Sequence, residues 1–287
     1  TGFVTGLGGF ITLPVAIPSA LAASWVVQAR MAAALARIYG PDLDAELVRR
    51  GLVSSRSEAT AVIDAGVVVV GGSLATKPTR LVAAGDPIVL SGPPPRYVGR
   101  GGDKLEAALA AFDLDVTGRR CLDVGASTGG FTDCLLQHGA SHVTALDVGH
   151  GQLHERLRSD PRVEVIERRN IRYVRPGDLG PAFGMAVADV SFISLTVVLP
   201  AVVPLLSKPS DLLVLVKPQF EAGRDAVNRG RGVITDPDLW SEAVRVVAEA
   251  AGSLGVGVLG AVPSPLRGAE GNVEFLDPTL HVRGKGG

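Results

Sequence analysis

The chain has 287 residues, room for about two domains at roughly 150 residues each. Hydrophobic residues make up 46% and charged residues 20%, with mean hydropathy +0.30, which excludes an intrinsically disordered protein; 36 glycines without a three-residue period exclude collagen. Two cysteines, Cys121 and Cys134, cannot build a disulfide framework or a four-cysteine zinc site and point to a reducing compartment such as the cytoplasm, and a net charge of -1 confines any nucleic-acid contact to a local basic face.

Residues 1–29 carry no charge, and the first charged side chain is Arg30. The run exceeds the roughly 18 residues that flag a membrane span, yet Pro14 and Pro18 interrupt it and no basic residue opens it as in a signal peptide. Three readings stay open: a membrane-associated segment, a helical piece packed on another domain, or a remnant of a longer or fused chain. The text resembles a short part of the EcsC-like bacterial proteins. Residues 1–41 are treated as an apolar extension of foreign or truncated origin, and stable membrane association is expected only if residues 1–29 insert.

From Asp42 the pattern becomes amphipathic. Leu43, Leu47 and Val48, with Asp44 and Glu46 early and Arg49 and Arg50 late, predict a helix ended by Gly51. Ser55 or Ser57 caps a second helix whose apolar face is Ala59, Val62 and Ile63. Gly66 turns the chain into a strand at Val67–Val70, Gly71-Gly72 makes a hairpin turn, and Gly85-Asp86 leads to a last strand at Ile88–Leu90. Residues 42–91, with the frame GL…SR..A…I..G.V.V.G…P and a late GD.I, resemble the S4 RNA-binding domain. That resemblance implies RNA contact through Arg49, Arg50, Arg56 and Lys77. An ordinary solvated face is the alternative, since residues 42–100 hold seven Lys and Arg against six Asp and Glu.

Beyond a linker at 92–100, residues 101–287 alternate apolar runs with helical patterns. Strands are predicted at Arg120–Val124, Val143–Asp147, Val163–Ile166, Met185–Ala188 and Leu212–Lys217. Helices are predicted at Gly130–Gln137, Leu153–Arg158, Leu195–Leu206 and Pro237–Leu254. This is an α/β doubly wound parallel sheet, whose ligands sit at the carboxyl ends of the strands.

The strongest local signal is Asp123-Val124-Gly125-Ala126-Ser127-Thr128-Gly129-Gly130, which closes a strand, turns on glycines and opens a helix. Missing Cβ atoms at Gly125, Gly129 and Gly130 are expected to let backbone N–H groups approach a ligand. Asp147 ends the next strand 22 residues after Gly125, the spacing of a ribose-hydroxyl acceptor, and Asn170 is expected near an adenine. The same loop fits the G-x-S-x-G elbow of a serine hydrolase around Ser127, but the late histidine candidate, His281, lies in a polar tail. A dinucleotide oxidoreductase fits its glycine spacing poorly. Asp-x-Gly-x-x-x-Gly followed by an acid at the end of the second strand instead resembles the pattern of the S-adenosylmethionine-dependent methyltransferases.

Four ionisable residues sharpen it: Lys104 before the first strand, Asp189 and Lys217 at the ends of the fourth and fifth, and Glu274 near the carboxyl terminus. Gaps of 85, 28 and 57 residues leave only the fold to gather them. The set resembles the Lys-Asp-Lys-Glu tetrad of the FtsJ-like RNA 2′-O-methyltransferases. RYVGRGGDKLEAAL, CLDVGASTGGFTDCLL, ALDVGHGQL, VADVSFISL, LVKPQFE and GNVEF narrow it to the TlyA family, the rRNA cytidine 2′-O-methyltransferases also called hemolysin A, over about residues 42–277. The resemblance implies a Rossmann-like fold behind an α+β S4 domain, S-adenosylmethionine held at Asp123, Gly125, Ala126, Ser127, Gly129, Gly130, Asp147 and Asn170, no metal, and 16S or 23S rRNA in ribosomal subunits as partner. Lys217 is the expected proton acceptor, Lys104 the stabiliser of oxyanion charge, and Asp189 and Glu274 their orienting partners. Arg224, Arg229 and Arg231, in the loop Glu221–Asp236, read as substrate-side phosphate contacts or as a solvated loop. Asp277-Pro278 is expected to cut the last strand short and leave Glu274 loosely held. Two other functions stay open: a membrane-active hemolysin-like protein, and an RNA-binding protein with an inactive methyltransferase domain.

Overall fold

The computed structural model describes residues 40–53, 56–83, 85–92, 95–222, 233–268 and 271–282. The apolar residues 1–29 and Arg224, Arg229 and Arg231 lie outside the described residues.

The amino-terminal module has two short helices, α1 (Leu43–Arg49) and α2 (Arg56–Asp64), and the strands β1 (Val68–Val70), β2 (Ser73–Leu74) and β3 (Ile88–Leu90). The strands form one antiparallel sheet in the order β2-β1-β3. The predicted apolar positions Leu43, Leu47, Ala59, Val62 and Ile63 pack against Val68 and Val70 in a single core.

The second domain begins with α3 (Gly101–Ala111), whose Leu105, Ala108 and Leu109 recur at helical spacing and are buried. Then come β4 (Arg120–Val124), α4 (Gly130–Gln137), β5 (His142–Leu146), α5 (Glu155–Arg158), β6 (Val163–Ile166), β7 (Phe183–Ala188), α6 (Leu195–Val202), β8 (Leu206–Val216), α7 (Pro218–Glu221), α8 (Pro237–Ser253), β9 (Val262–Pro263) and β10 (Phe275–Val282). The sheet order is β6-β5-β4-β7-β8-β10-β9. Strands β4 to β8 are parallel, whereas β10 runs antiparallel to both β8 and β9. The chain winds outward from β4 to β6 and returns to β7 beside β4, so strand order reverses between β4 and β7 and a ligand cleft opens at their carboxyl ends. Alternate residues of β4 serve opposite layers: Leu122 and Val124 join one core with Leu199 and Val247, and Cys121 joins the other with Leu105 and Leu135. Both cysteines are free and buried.

Two expectations need correction. The helix expected over Leu195–Leu206 stops at Val202, where a 3₁₀ turn over Val203–Leu205, carrying Pro204, hands the chain to β8. The last strand is not cut short at Pro278. β10 pairs with β8 from Phe275↔Val216 to Val282↔Ser210, with a register shift between Asp277 and Leu280. A proline lacks an N–H for the ladder, and a bulge is the position where none is required. Glu274 therefore immediately precedes a strand that pairs with β8 on both sides of the bulge.

Leu122 is completely buried in the central strand. Leu122→Ala is expected to lower the unfolding free energy by about 2–5 kcal/mol, measured by urea denaturation of the purified protein.

Candidate active site

The loop after β4 is shaped by backbone contacts. Gly125 has φ +85°, and a Cβ there would lie 2.4 Å from the Asp189 carbonyl oxygen. Gly129 has φ +100°, and its Cβ would meet Leu157 at 2.2 Å. A Cβ on Gly130 would lie 2.9 Å from Gly99 O and Gly102 N. The glycines thus allow the protein to close on itself, Gly125 bringing the ends of β4 and β7 together. The Asp189 N–H donates to Val124 O at 3.0 Å across the same junction. Asp147, just past β5, accepts from Ser127 N at 2.8 Å and from Gly149 N at 2.6 Å, so its carboxylate props the loop from the neighbouring strand.

Above this junction lies a cavity of about 860 Å³, bordered by Gly125, Ala126, Ser127, Thr128 and Gly130 and by all four residues of the tetrad. Lys104, in the first turn of α3, pairs with Glu274. Lys217, at the end of β8, lies 2.5 Å from Asp189 Oδ1 and donates to Ser191 Oγ at 3.0 Å. The two lysine side chains are only 11% and 10% exposed, so each is held in a nearly desolvated ion pair. Four positions expected from separate elements converge on one wall. Ala61 and Asp64 of α2 close another side, where burial raises the Asp64 carboxyl above its ordinary pKa. Among the described residues no histidine borders this cavity to serve as the base that a hydrolase elbow at Ser127 requires.

Other expected residues sit elsewhere. Asp123 is fully buried beneath the loop, where its Oδ2 accepts from the Thr132 hydroxyl at 2.7 Å; burial pushes its pKa up to about 7. It does not border the cavity. Gly129 turns the loop without bordering the cavity, and Asp147 borders a separate small recess with Gly149, His150, Gln152 and Glu167. The Asn170 carboxamide accepts from Arg172 N at 3.0 Å, capping a turn, and borders neither space. In the first module, buried Glu46 takes Arg49 at 2.5 and 2.6 Å and Arg50 at 2.6 Å, and Arg50 also donates to the Asp86 carbonyl at 2.7 Å. Both arginines thus brace the module through Glu46, while the Arg49 side chain stays 62% exposed. Arg56 and Lys77 are exposed, with Arg56 3.8 Å from Asp44.

Several site residues were not singled out by sequence reasoning. Phe192 borders the cavity while 93% exposed, its ring 5.3 Å from that of Phe220 at 52°. Ser191 holds Lys217. Glu221 accepts from Ser194 Oγ at 2.5 Å and Leu195 N at 2.8 Å, capping α6 from the end of α7 and tying the chain after Asp189 to the chain after Lys217. Buried Asn272 accepts from Ile234 N at 2.9 Å and steadies the turn before Glu274. The signal for Ser191, Phe192, Gln219 and Glu221 was their adjacency to Asp189 and Lys217.

Comparison with known proteins places these features. The FtsJ-like methyltransferase family matches residues 97–277, and the S4 domain matches residues 43–88. The chain is 50% identical over 235 residues to the 16S/23S rRNA (cytidine-2′-O)-methyltransferase TlyA of Mycobacterium tuberculosis, covering 82% of this chain and 87% of that protein. It is 40% identical over 235 residues to hemolysin A of Brachyspira hyodysenteriae, covering 82% of this chain and 97% of that protein. A solved structure from Streptococcus thermophilus, described as a candidate hemolysin, superposes with a TM-score of 0.68 at 41% identity, covering 85% of this chain and 89% of the other. Among the described residues no helix is long and apolar enough to cross a membrane.

Two outcomes test this arrangement. The Asp123 carboxyl, raised from 3.8 to about 7 by burial, keeps its proton in the folded chain where the unfolded chain has lost it. Its contribution to stability is present below the unfolded value and lost as pH rises through that window. Urea titrations should therefore show wild type losing stability relative to Asp123→Asn across this range, with a constant difference above it. Glu221→Ala should cost about 1–3 kcal/mol of unfolding free energy and speed hydrogen exchange at the Leu195 amide, read by NMR or mass spectrometry.

Proposed function

Because the chain belongs to the FtsJ-like methyltransferase family, we propose that it transfers a methyl group from S-adenosylmethionine to the ribose 2′-hydroxyl of a cytidine in ribosomal RNA, in one or both ribosomal subunits of the cytoplasm. The observation that carries the reading is the convergence of Lys104–Glu274 and Lys217–Asp189 on one cavity beside the glycine loop. The cytidine and the ribosomal substrate come from the relatives' names.

The loop fits the cofactor. Gly125, Ala126, Ser127 and Gly130 border a cavity large enough for it at the switch point of the sheet, and Asp147 stands at the end of the next strand. Bound there, S-adenosylmethionine would supply a methyl group activated on a sulfonium. Gly125, Ala126 and Ser127 would hold its methionine side, and Asp147 its ribose.

The chain's own residues do the rest. A ribose hydroxyl is a poor nucleophile at neutral pH and needs positioning and a proton acceptor within hydrogen-bond reach. Lys217 takes that role: Asp189 and Ser191 hold its Nζ at the cavity wall, and as a neutral amine it accepts the hydroxyl proton. Lys104, oriented by Glu274, stabilises charge that develops on the oxygen. Exposed Phe192, backed by Phe220, offers a flat apolar face on which an unstacked base rests. The fully assembled tetrad speaks against an inactive RNA-binding relic.

The test is transfer of labelled methyl from S-adenosylmethionine to purified small and large ribosomal subunits, with the product checked for resistance of the adjacent phosphodiester to alkali. Lys217→Ala should lower the rate by about 10²–10⁴-fold with cofactor binding retained. Transfer at the wild-type rate by that variant would remove Lys217 from the chemistry. Wild-type protein that binds cofactor but methylates neither subunit would return the RNA-binding reading.

A further inference from the structure

In the first module Glu46 pairs with both Arg49 and Arg50, while Arg56 and Lys77 are exposed. A chain of 28 basic and 29 acidic residues needs a further local cluster of cations to hold a long polyanion. The segment 167–178, Glu-Arg-Arg-Asn-Ile-Arg-Tyr-Val-Arg-Pro-Gly-Asp, supplies one. It leaves the carboxyl end of the edge strand β6, the edge of the sheet that carries the cavity. Arg168, Arg169, Arg172 and Arg175 are all exposed. Glu167 is turned away onto Arg158, His150 and the Gly151 N–H, and Asp178 offsets only Arg169, at 2.9 Å. No described residue pairs with the Arg168 or Arg175 guanidinium. Tyr173 is 69% exposed, with the Arg172 guanidinium 5.6 Å from its ring centroid.

The segment is rigidly mounted. Ile171, Val174 and Leu179 are buried in the main core between its exposed arginines. Its backbone is hydrogen-bonded to the loop that props the glycine turn: Arg168 N donates to Gly149 O at 3.0 Å and Arg169 N to Asp147 O at 3.1 Å. Asp147 in turn holds Ser127, on the cavity wall. We propose that Arg168, Arg172 and Arg175, with Tyr173, form a second RNA-docking surface on the catalytic domain, which grips the phosphate backbone beside the methylated nucleotide and is held in register with the cavity. Charge complementarity with clustered phosphates and an exposed aromatic ring for an unpaired base fit RNA better than a protein partner. This inference rests on the RNA substrate proposed above.

The experiment measures binding without cofactor. Purified bacterial ribosomal subunits are titrated with wild type and with the triple variant Arg168→Glu, Arg172→Glu, Arg175→Glu by filter binding across a potassium chloride series. The variant should raise Kd at least tenfold at about 0.1 M salt and flatten the slope of log affinity against log salt by about 2–3. Its thermal midpoint and its binding of S-adenosylhomocysteine should match wild type, which separates the effect from misfolding. A triple arginine-to-lysine variant should retain most of the slope. Equal Kd and equal slope for wild type and the glutamate variant, absence of binding by both included, overturns the surface. Failure of methyl transfer by wild type with these binding differences intact would instead overturn the catalytic reading alone.

Discussion

Two lysine ammonium groups have to be kept out of water without being left alone. Lys104 and Lys217 are almost completely desolvated, and an isolated ammonium at such a site carries a penalty of several kcal/mol that only a close carboxylate and further hydrogen bonds offset. The placement of the surrounding elements follows from supplying those carboxylates. Glu274 is 170 residues from Lys104 and reaches it because β10 returns antiparallel alongside β8. Asp189 reaches Lys217 because β7 and β8 are parallel neighbours whose carboxyl ends are level, with Ala188 paired to Val214. The late antiparallel hairpin of β9 and β10 is thus more than an edge to the sheet. It carries half of one ion pair.

A second set of bonds fixes the loops that bear these charges. Each runs between segments that would otherwise move independently. Asp147 holds the glycine loop, Glu221 ties the segment after Lys217 to the segment after Asp189, and Asn272 pins the turn before Glu274. Buried Asp133 accepts from Val98 N at 2.9 Å, Arg156 at 2.6 Å and Gln137 at 3.1 Å, fastening the stretch before α3 to the helix that follows the glycine loop. Reactive groups need placement to within a fraction of an ångström, and side chains on strand ends gain it only when the adjoining loops are locked.

Much of this was legible in the chain because it depends on short-range rules. The strands at Arg120–Val124 and Val163–Ile166 and the helix at Gly130–Gln137 follow from apolar runs bounded by turn residues, and the structure has the same limits. Asp189 and Lys217 stood out because charge at the end of an apolar strand has a direction. Their pairing did not, since sequence distance holds no information on which strand lies beside which. One role of Gly125 was illegible for a related reason: that a Cβ there would strike the carbonyl of Asp189 depends on a junction 64 residues away. Pro278 was taken to end a strand because proline forbids a ladder bond, but a bulge removes the need for that bond. The pairing of Arg49 and Arg50 with Glu46 was readable in principle, at spacings of three and four residues on a helix, and was passed over in favour of the helix dipole.

The balance of charge in the cavity bears on what can share it. Three basic residues, Arg100, Lys104 and Lys217, face three acidic ones, Asp64, Asp189 and Glu274, so the formal charges balance and the site neither repels a sulfonium cation nor turns away an approaching phosphate chain. A cavity with a net positive field would favour the RNA and expel the cofactor; one with a net negative field would do the reverse. Neutrality at the centre then requires the attraction for RNA to come from outside it, from cations within about a Debye length, near 10 Å at moderate salt, of the path the strand takes. A nearly neutral protein can meet that condition by concentrating exposed arginine locally. In this chain Arg168, Arg172 and Arg175 stand in water on the segment after β6, while Arg119 is held by the buried Asp211.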